Sequence, residues 1–329
     1  MPARHRLLAV LVAVMWGLNF IAIDASLQHF PPLFLVALRF AVIAVPTVLL
    51  VPWPGVPVRW LLGYGLGFGV VQFLFLYWGM AAGMPVGLAS LVLQASAPFT
   101  VLLGATFLRE RVGGRQLVGI LVAVAGLTVV AWQRAEHASL LPFLLTLAGA
   151  LGWAVGNICN RQARPASPLR LTLWMSVVPP LPMLALSLLV EGPDRVLRSL
   201  VTLDAPAAPA ALLGLAYTVV IGTVAGSGVW TWLMARHPAG VVGPFSMLVP
   251  VVGLTAAWLV LGERVTMAEL AGAALVVGGV LLGSRPARRA RVPAQPHPAE
   301  AGPPARTTST SAQPPAAGLV GATTTEPPR

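Results

Sequence analysis

The second half of this chain repeats the first, and the repeat has to be inverted. Residues 87–112 align with 240–265 at an offset of 153, and both stretches close on Glu-Arg-Val (Glu110, Arg111, Val112; Glu263, Arg264, Val265). The same offset carries Gly119 onto Gly272 and Gly126 onto Gly279. Each copy holds five apolar spans. Five is odd, so the second copy must enter a membrane from the opposite side. Inverted repeats of Gly/Pro-interrupted helices are the architecture of secondary transporters, which bind their cargo between the halves.

The membrane itself follows from composition. Hydrophobic residues make up 57% of the chain and charged residues 9%. A water-soluble domain of this length needs far more polar surface. In lipid each span must satisfy its own backbone, and runs of this length do so as helices. The expected fold is therefore all-α and integral to the membrane, with ten transmembrane helices as two inverted five-helix repeats. The spans are 7–27, 33–52, 60–82, 86–108, 116–132, 140–159, 169–190, 210–234, 240–262 and 267–284. The first repeat is read as residues 1–137 and the second as 138–285. Residues 286–329 are rich in Pro, Ala, Thr and Ser, cannot bury a core, and read as a disordered cytoplasmic tail. Residues 191–209 form the longest connection.

Arginine placement gives the orientation, since cytoplasmic loops carry the excess of basic residues. With the N-terminus inside, ten spans return the C-terminus inside. Fourteen arginines then lie inside: Arg4, Arg6, Arg59, Arg109, Arg111, Arg115, Arg161, Arg164, Arg170, Arg236, Arg285, Arg288, Arg289 and Arg291. Four lie outside: Arg134, Arg195, Arg198 and Arg264. Both termini are expected in the cytoplasm of a multi-pass bacterial inner-membrane protein. The first span follows Arg4 and Arg6 as a signal peptide would. It is too long for one, carries Asn19 and Asp24, and lacks a small-x-small cleavage site, so it is read as retained. The net charge of +11 is all arginine. In a membrane protein that balance reports cytoplasmic loops, and no nucleic-acid partner is expected.

Polar groups inside a span are costly, which makes them functional candidates. Asp24 and Arg39 sit near the facing ends of spans one and two, joined by a short link. An ion pair would hold both, as a structural clamp or as a gate; the alternative has Asp24 reaching interfacial water. A neutral set comprises Trp16, Asn19, Gln72, Gln94, Trp153, Asn157 and Ser246, with Asn160 and Ser227 nearby. Amides and hydroxyls bind the ends of a small zwitterion without burying a further charge. The competing reading is plain helix–helix hydrogen bonding. Aligning Trp16 on Trp153 also places Asp24 on Arg161. Pro98 and Pro250 fall inside spans four and nine, and each is expected to kink its helix by removing a backbone donor. Gly63, Gly65, Gly67 and Gly69 make a small face for close packing.

Several chemistries are excluded. There is no phosphate-binding Walker loop, no Gly-x-Ser-x-Gly elbow and no His-Glu-x-x-His. His5, His29, His137, His237 and His297 are assigned to loops or the tail, so no metal site is expected. The lone Cys159 rules out a disulfide framework. No enzyme and no cofactor are expected.

These stretches together resemble the EamA family of the drug/metabolite transporter superfamily. They are Trp16-Gly17-Leu18-Asn19-Phe20, Pro31-Pro32-Leu33 with Ala37-Leu38-Arg39-Phe40, and Leu62-Gly63-Tyr64-Gly65-Leu66 with Gln72-Phe73. Gly83-Met84-Pro85 and residues 87–94 follow. In the second copy they are Gly156-Asn157-Ile158 and Leu248-Val249-Pro250-Val251-Val252-Gly253-Leu254. The resemblance spans about residues 7–285. It implies a ten-helix inner-membrane exporter of small amino-acid metabolites, of the O-acetylserine and cysteine kind, working by alternating access. Position 24 is usually basic in that family; here it is Asp24.

Overall fold

The computed structural model describes residues 1–137, 139–237 and 239–284. The expected tail, 286–329, lies outside the described residues. Ten apolar helical segments cross the molecule: α1 (Ala3–Leu27), α2 (Pro32–Leu50), α3 (Val58–Ala81), α4 (Val86–Phe107) and α5 (Gly114–His137) in the first half. The second half holds α6 (Leu141–Ala163), α7 (Pro168–Val190), α8 (Ala208–Arg236), α9 (Gly243–Leu261) and α10 (Met267–Ser284). Among the described residues no strand occurs, and α1 to α9 are each long and apolar enough to span a bilayer. At about 1.5 Å per residue, the 18-residue α10 reaches nearly as far. The expected fold is the observed one.

Proline sets many of the boundaries. Pro32, Pro142 and Pro168 open α2, α6 and α7, where a missing N–H costs nothing. Gly262 closes α9 in the left-handed conformation at φ 68°. Span seven is split at Pro179-Pro180 into Pro168–Met175 and Pro180–Val190. The connection at 191–209 is not all loop, for it contains a short helix, Pro193–Val201.

The halves interlock. α1 packs on α8 and α9 of the second half, and α6 packs on α3 and α4 of the first. Glycines make both contacts close. Gly222 and Gly226 of α8 lie against Asn19 and Trp16. Gly152 and Gly156 of α6 lie against the backbone of Gln72 and Phe68. α5 and α10 form a pair of their own. Gly119 meets Gly279, and Gly126 meets Gly272. As one helix advances from 119 to 126, its partner retreats from 279 to 272. Repeat-equivalent helices therefore run antiparallel, as inversion of the second copy requires.

Both copies also break their helices at equivalent places. α3 widens to a π-helix over Gly65–Gln72, and α8 does so over Tyr217–Ala225, close to one repeat offset apart. α4 tightens to a 3₁₀ turn at Leu93–Ala95, and α9 at Gly243–Met247. Such departures from the α ladder cluster at functional positions.

Candidate functional site

The two broken helices α4 and α9 cross, and their ends differ. Near Glu263, the first turns of α4 pack on α9: Gly87 against Leu254, Ser90 against Gly253. The Glu263 carboxylate accepts hydrogen bonds from the backbone N–H of Val86 (2.6 Å) and Gly87 (3.0 Å). It thus caps the positive end of α4 from the opposite half. Glu191 does the same for α2, accepting from Leu33 (2.8 Å) and Phe34 (3.0 Å).

At the other end the repeat-equivalent acid has a different partner. Glu110, the repeat partner of Glu263, pairs instead with Arg161 at 3.0 Å, both side chains half-exposed. Ser96–Phe107 of α4 packs on α6 rather than on the start of α9. Around Gly243, the repeat equivalent of Ser90, there is open space. A cleft of about 470 Å³ opens here between α4, α5 and α10, and of the expected site residues it touches Pro98 alone.

The 3₁₀ turns have a local cause. Pro250 has no N–H for the carbonyl of Ser246, and the Gln94 side chain takes that carbonyl, Nε2 to O at 3.3 Å. Pro98 likewise leaves the carbonyl of Gln94 without its helical donor. The two breaks are thus tied across the halves. The hydroxyl of Ser246 is turned back onto the Gly243 carbonyl at 2.7 Å, so it is the Ser246 main chain that meets Gln94. Asn157 of α6 donates to Thr100 Oγ1 at 3.2 Å on the far turn of α4.

A second group gathers on the π-turn of α8. Trp16 Nε1 donates to the Gly222 carbonyl at 2.9 Å, and its ring lies 5.1 Å from that of Trp230. Asn19 packs directly on Gly222. Arg39 reaches in from α2: Nη1 donates to Tyr77 Oη and Nη2 to Thr223 Oγ1, each at 2.9 Å. The guanidinium carbon lies 4.1 Å from the Phe73 ring centre. Gln72, next to Phe73, is buried. Trp153 stands across α3, its ring edge-on to Phe68 at 5.9 Å. Among the described residues four buried side-chain polar atoms have no hydrogen-bond partner: Asn19 Oδ1, Arg39 Nε, Gln72 Oε1 and Thr218 Oγ1.

Two expectations need correction. Asp24 and Arg39 form no ion pair among the described residues. Arg39 turns instead to two hydroxyls and two aromatic faces. Neither His5 nor His137 is in a loop: His137 is the last residue of α5, and His5 lies buried in α1, where Nδ1 shares a hydrogen bond of 2.7 Å with Nε2 of His237. Among the described residues no group of three or more His, Cys, Asp or Glu is placed to hold a metal ion. Thr218, Thr223, Tyr77 and the capping acids were not singled out in the sequence. The π-turn shared by both copies is the feature that unites the first two.

The profile of the EamA-like transporter family matches residues 5–132 and again 140–285. A probable amino-acid metabolite efflux pump of Salmonella typhimurium is 44% identical over 301 residues, covering 89% of this chain and 99% of that protein. Its Escherichia coli namesake is 42% identical, covering 86% and 95%. A probable terminal-alkyne amino-acid exporter of Streptantibioticus cattleyicolor is 29% identical, covering 67% and 70%. A solved protein structure at 21% identity superposes with a TM-score of 0.56 over 86% of this chain and 98% of its own. That likeness concerns the fold alone.

Proposed function

The chain belongs to the EamA-like transporter family, and from that membership we propose that it exports small amino-acid metabolites across the bacterial inner membrane by alternating access. The family makes it a membrane transporter and not an enzyme. The names of the relatives support amino-acid metabolites as cargo, and O-acetylserine and cysteine are our first candidates within that class.

One observation carries the mechanism. Glu263 caps α4 at one end, whereas its repeat equivalent Glu110 pairs with Arg161 and the space around Gly243 is open at the other. A carrier built from two inverted copies has two such arrangements, and exchanging the roles of the copies converts one into the other. The excess of arginines supports a cytoplasmic Glu110 end, with both termini on the same side. The described state is then closed at its outer end and looser at its cytoplasmic end. In the opposite state Glu110 leaves Arg161 and caps the start of α9, as Glu263 now caps α4. Trp16, Asn19, Gln72, Gln94, Trp153, Asn157 and Ser246 surround the cargo, and Pro98 and Pro250 supply the bends.

The test is counterflow into proteoliposomes loaded with unlabelled O-acetylserine, cysteine or other small amino acids. Saturable uptake of labelled substrate, lost in Asn19→Ala protein of normal stability, is the expected result. Absence of flux across the whole panel from well-folded protein would overturn the reading.

A further inference from the structure

Among the described residues Arg39 is a buried cation without an anion. It is 5% exposed, and an arginine does not give up its proton in a protein. Its partners are the neutral hydroxyls of Tyr77 and Thr223 and the faces of Phe40 and Phe73. Among the described residues the one ion pair is elsewhere, between Arg161 and Glu110. A buried charge is costly until an opposite charge and hydrogen bonds meet it. The Nε–H of Arg39 still lacks any acceptor.

The other three unpartnered atoms belong to residues that touch, or adjoin in the chain, those around Arg39. Thr218 lies one π-turn before Thr223, and the Thr223 hydroxyl donates to the Thr218 carbonyl at 2.9 Å. Asn19 rests on Gly222, the neighbour of Thr223. Gln72 precedes Phe73, over which the guanidinium lies. Sorted by chemistry, the four atoms form two sets. Arg39 Nε and the Thr218 hydroxyl can donate. Asn19 Oδ1 and Gln72 Oε1 can only accept. A carboxylate calls for the first set and an ammonium for the second.

We propose that Arg39, with Thr218, is the seat of the substrate's carboxylate, and that Asn19 and Gln72 receive its ammonium. The proposal rests on the exporter reading and narrows it. Cargo is then a small α-amino acid with a free carboxylate, and cationic compounds without one are poor substrates. Arg39 is a specificity-determining residue rather than half of an ion pair with Asp24. Because the guanidinium is occluded in the described state, the seat is reached only when α3 and α8 part at their π-turns.

The experiment compares an amino acid with its own carboxamide as competitors of labelled amino-acid uptake in proteoliposomes. Charge-assisted hydrogen bonds of this kind separate acid from amide by about 10- to 100-fold. Wild-type protein is expected to show that ratio, and Arg39→Gln to collapse it by losing affinity for the acid alone. Should Arg39→Gln fail to fold, Thr218→Val serves instead and is expected to narrow the ratio several-fold. A wild-type protein that takes the amide as readily as the acid would overturn the proposal. So would an Arg39→Gln or Thr218→Val protein that weakens both competitors equally, which is the mark of a purely structural residue. Failure to transport any amino acid is a different result and counts against the exporter reading itself.

Discussion

Gly119 and Gly279 sit backbone to backbone. A Cβ on Gly119 would lie 2.5 Å from the Gly279 carbonyl oxygen, and one on Gly279 would lie 2.6 Å from that of Gly119. The repeat offset carries this pair onto Gly272 and Gly126, which meet at 2.9 and 2.6 Å. One contact is therefore made twice, related by the exchange of the copies. In lipid, such close approach of small residues is what holds helices together.

Gly119→Val is expected to cost about 1–3 kcal/mol, because the clash is with main chain and cannot be relieved by a rotamer. Thermal unfolding in detergent reads it. Gly278→Ala, on the partner helix α10 with nothing within 4 Å, is the control and should not lower the midpoint. Equal midpoints for both variants would mean that the α5–α10 contact is looser than described.

Pro250→Ala restores a backbone donor to the Ser246 carbonyl. The helix should gain about 1–3 kcal/mol in stability, while turnover falls, because α9 loses its bend. Unfolding and initial counterflow rate, measured on one preparation, separate the two effects. Unchanged turnover would mean that the break plays no part in the cycle.

Glu263→Gln removes the charged cap on α4. A carboxylate at a helix N-terminus is worth about 0.3–2 kcal/mol, so opening of that end should rise by about 2- to 30-fold. The reporter is Ser90→Cys, buried where α4 crosses α9. Its labelling from outside by an impermeant maleimide should quicken in the Glu263→Gln background. An unaltered rate would show that the cap does not hold the end closed.

Arg161→Ala should act in the opposite sense. It frees Glu110 to cap α9 and so favours closure of the cytoplasmic end. The pair is half-exposed, and an exposed pair contributes about 0.2–1 kcal/mol, a shift of up to roughly fivefold. Slower labelling of a cysteine at Ala97, on the cleft wall, is the expected outcome. Faster labelling would contradict it.

The architecture was legible because two copies of one pattern share an offset, and parity alone dictates inversion. Pro98 and Pro250 announced the breaks in α4 and α9, since a missing N–H acts wherever the helix lies. The side-chain partners were not legible. Position along α1 and α2 gives the depth of Asp24 and Arg39, and both depths suited an ion pair. The direction in which each faces depends on how the helices are rotated, which tertiary packing decides. Arg39 turned toward Tyr77 and Thr223 from two other helices. Glu191 and Glu263 read as ordinary loop acids, because nothing local shows that a helix N-terminus from the opposite half lies against them. The π-turns follow from packing along α3 and α8, and no residue pattern marked them.

The most direct test of exchange between the copies is a disulfide trap at contacts the described state lacks. The repeat offset carries Ser90 onto Gly243 and Gly253 onto Thr100. In a Cys159→Ala background, Thr100→Cys and Gly243→Cys are introduced together, and cross-linking is followed with and without substrate. The expected result is a cross-link that forms faster with a transported amino acid present, arrests transport, and is reversed by reductant. Undiminished transport under oxidising conditions with no cross-link would contradict it, since the two ends would then not be exchanging roles.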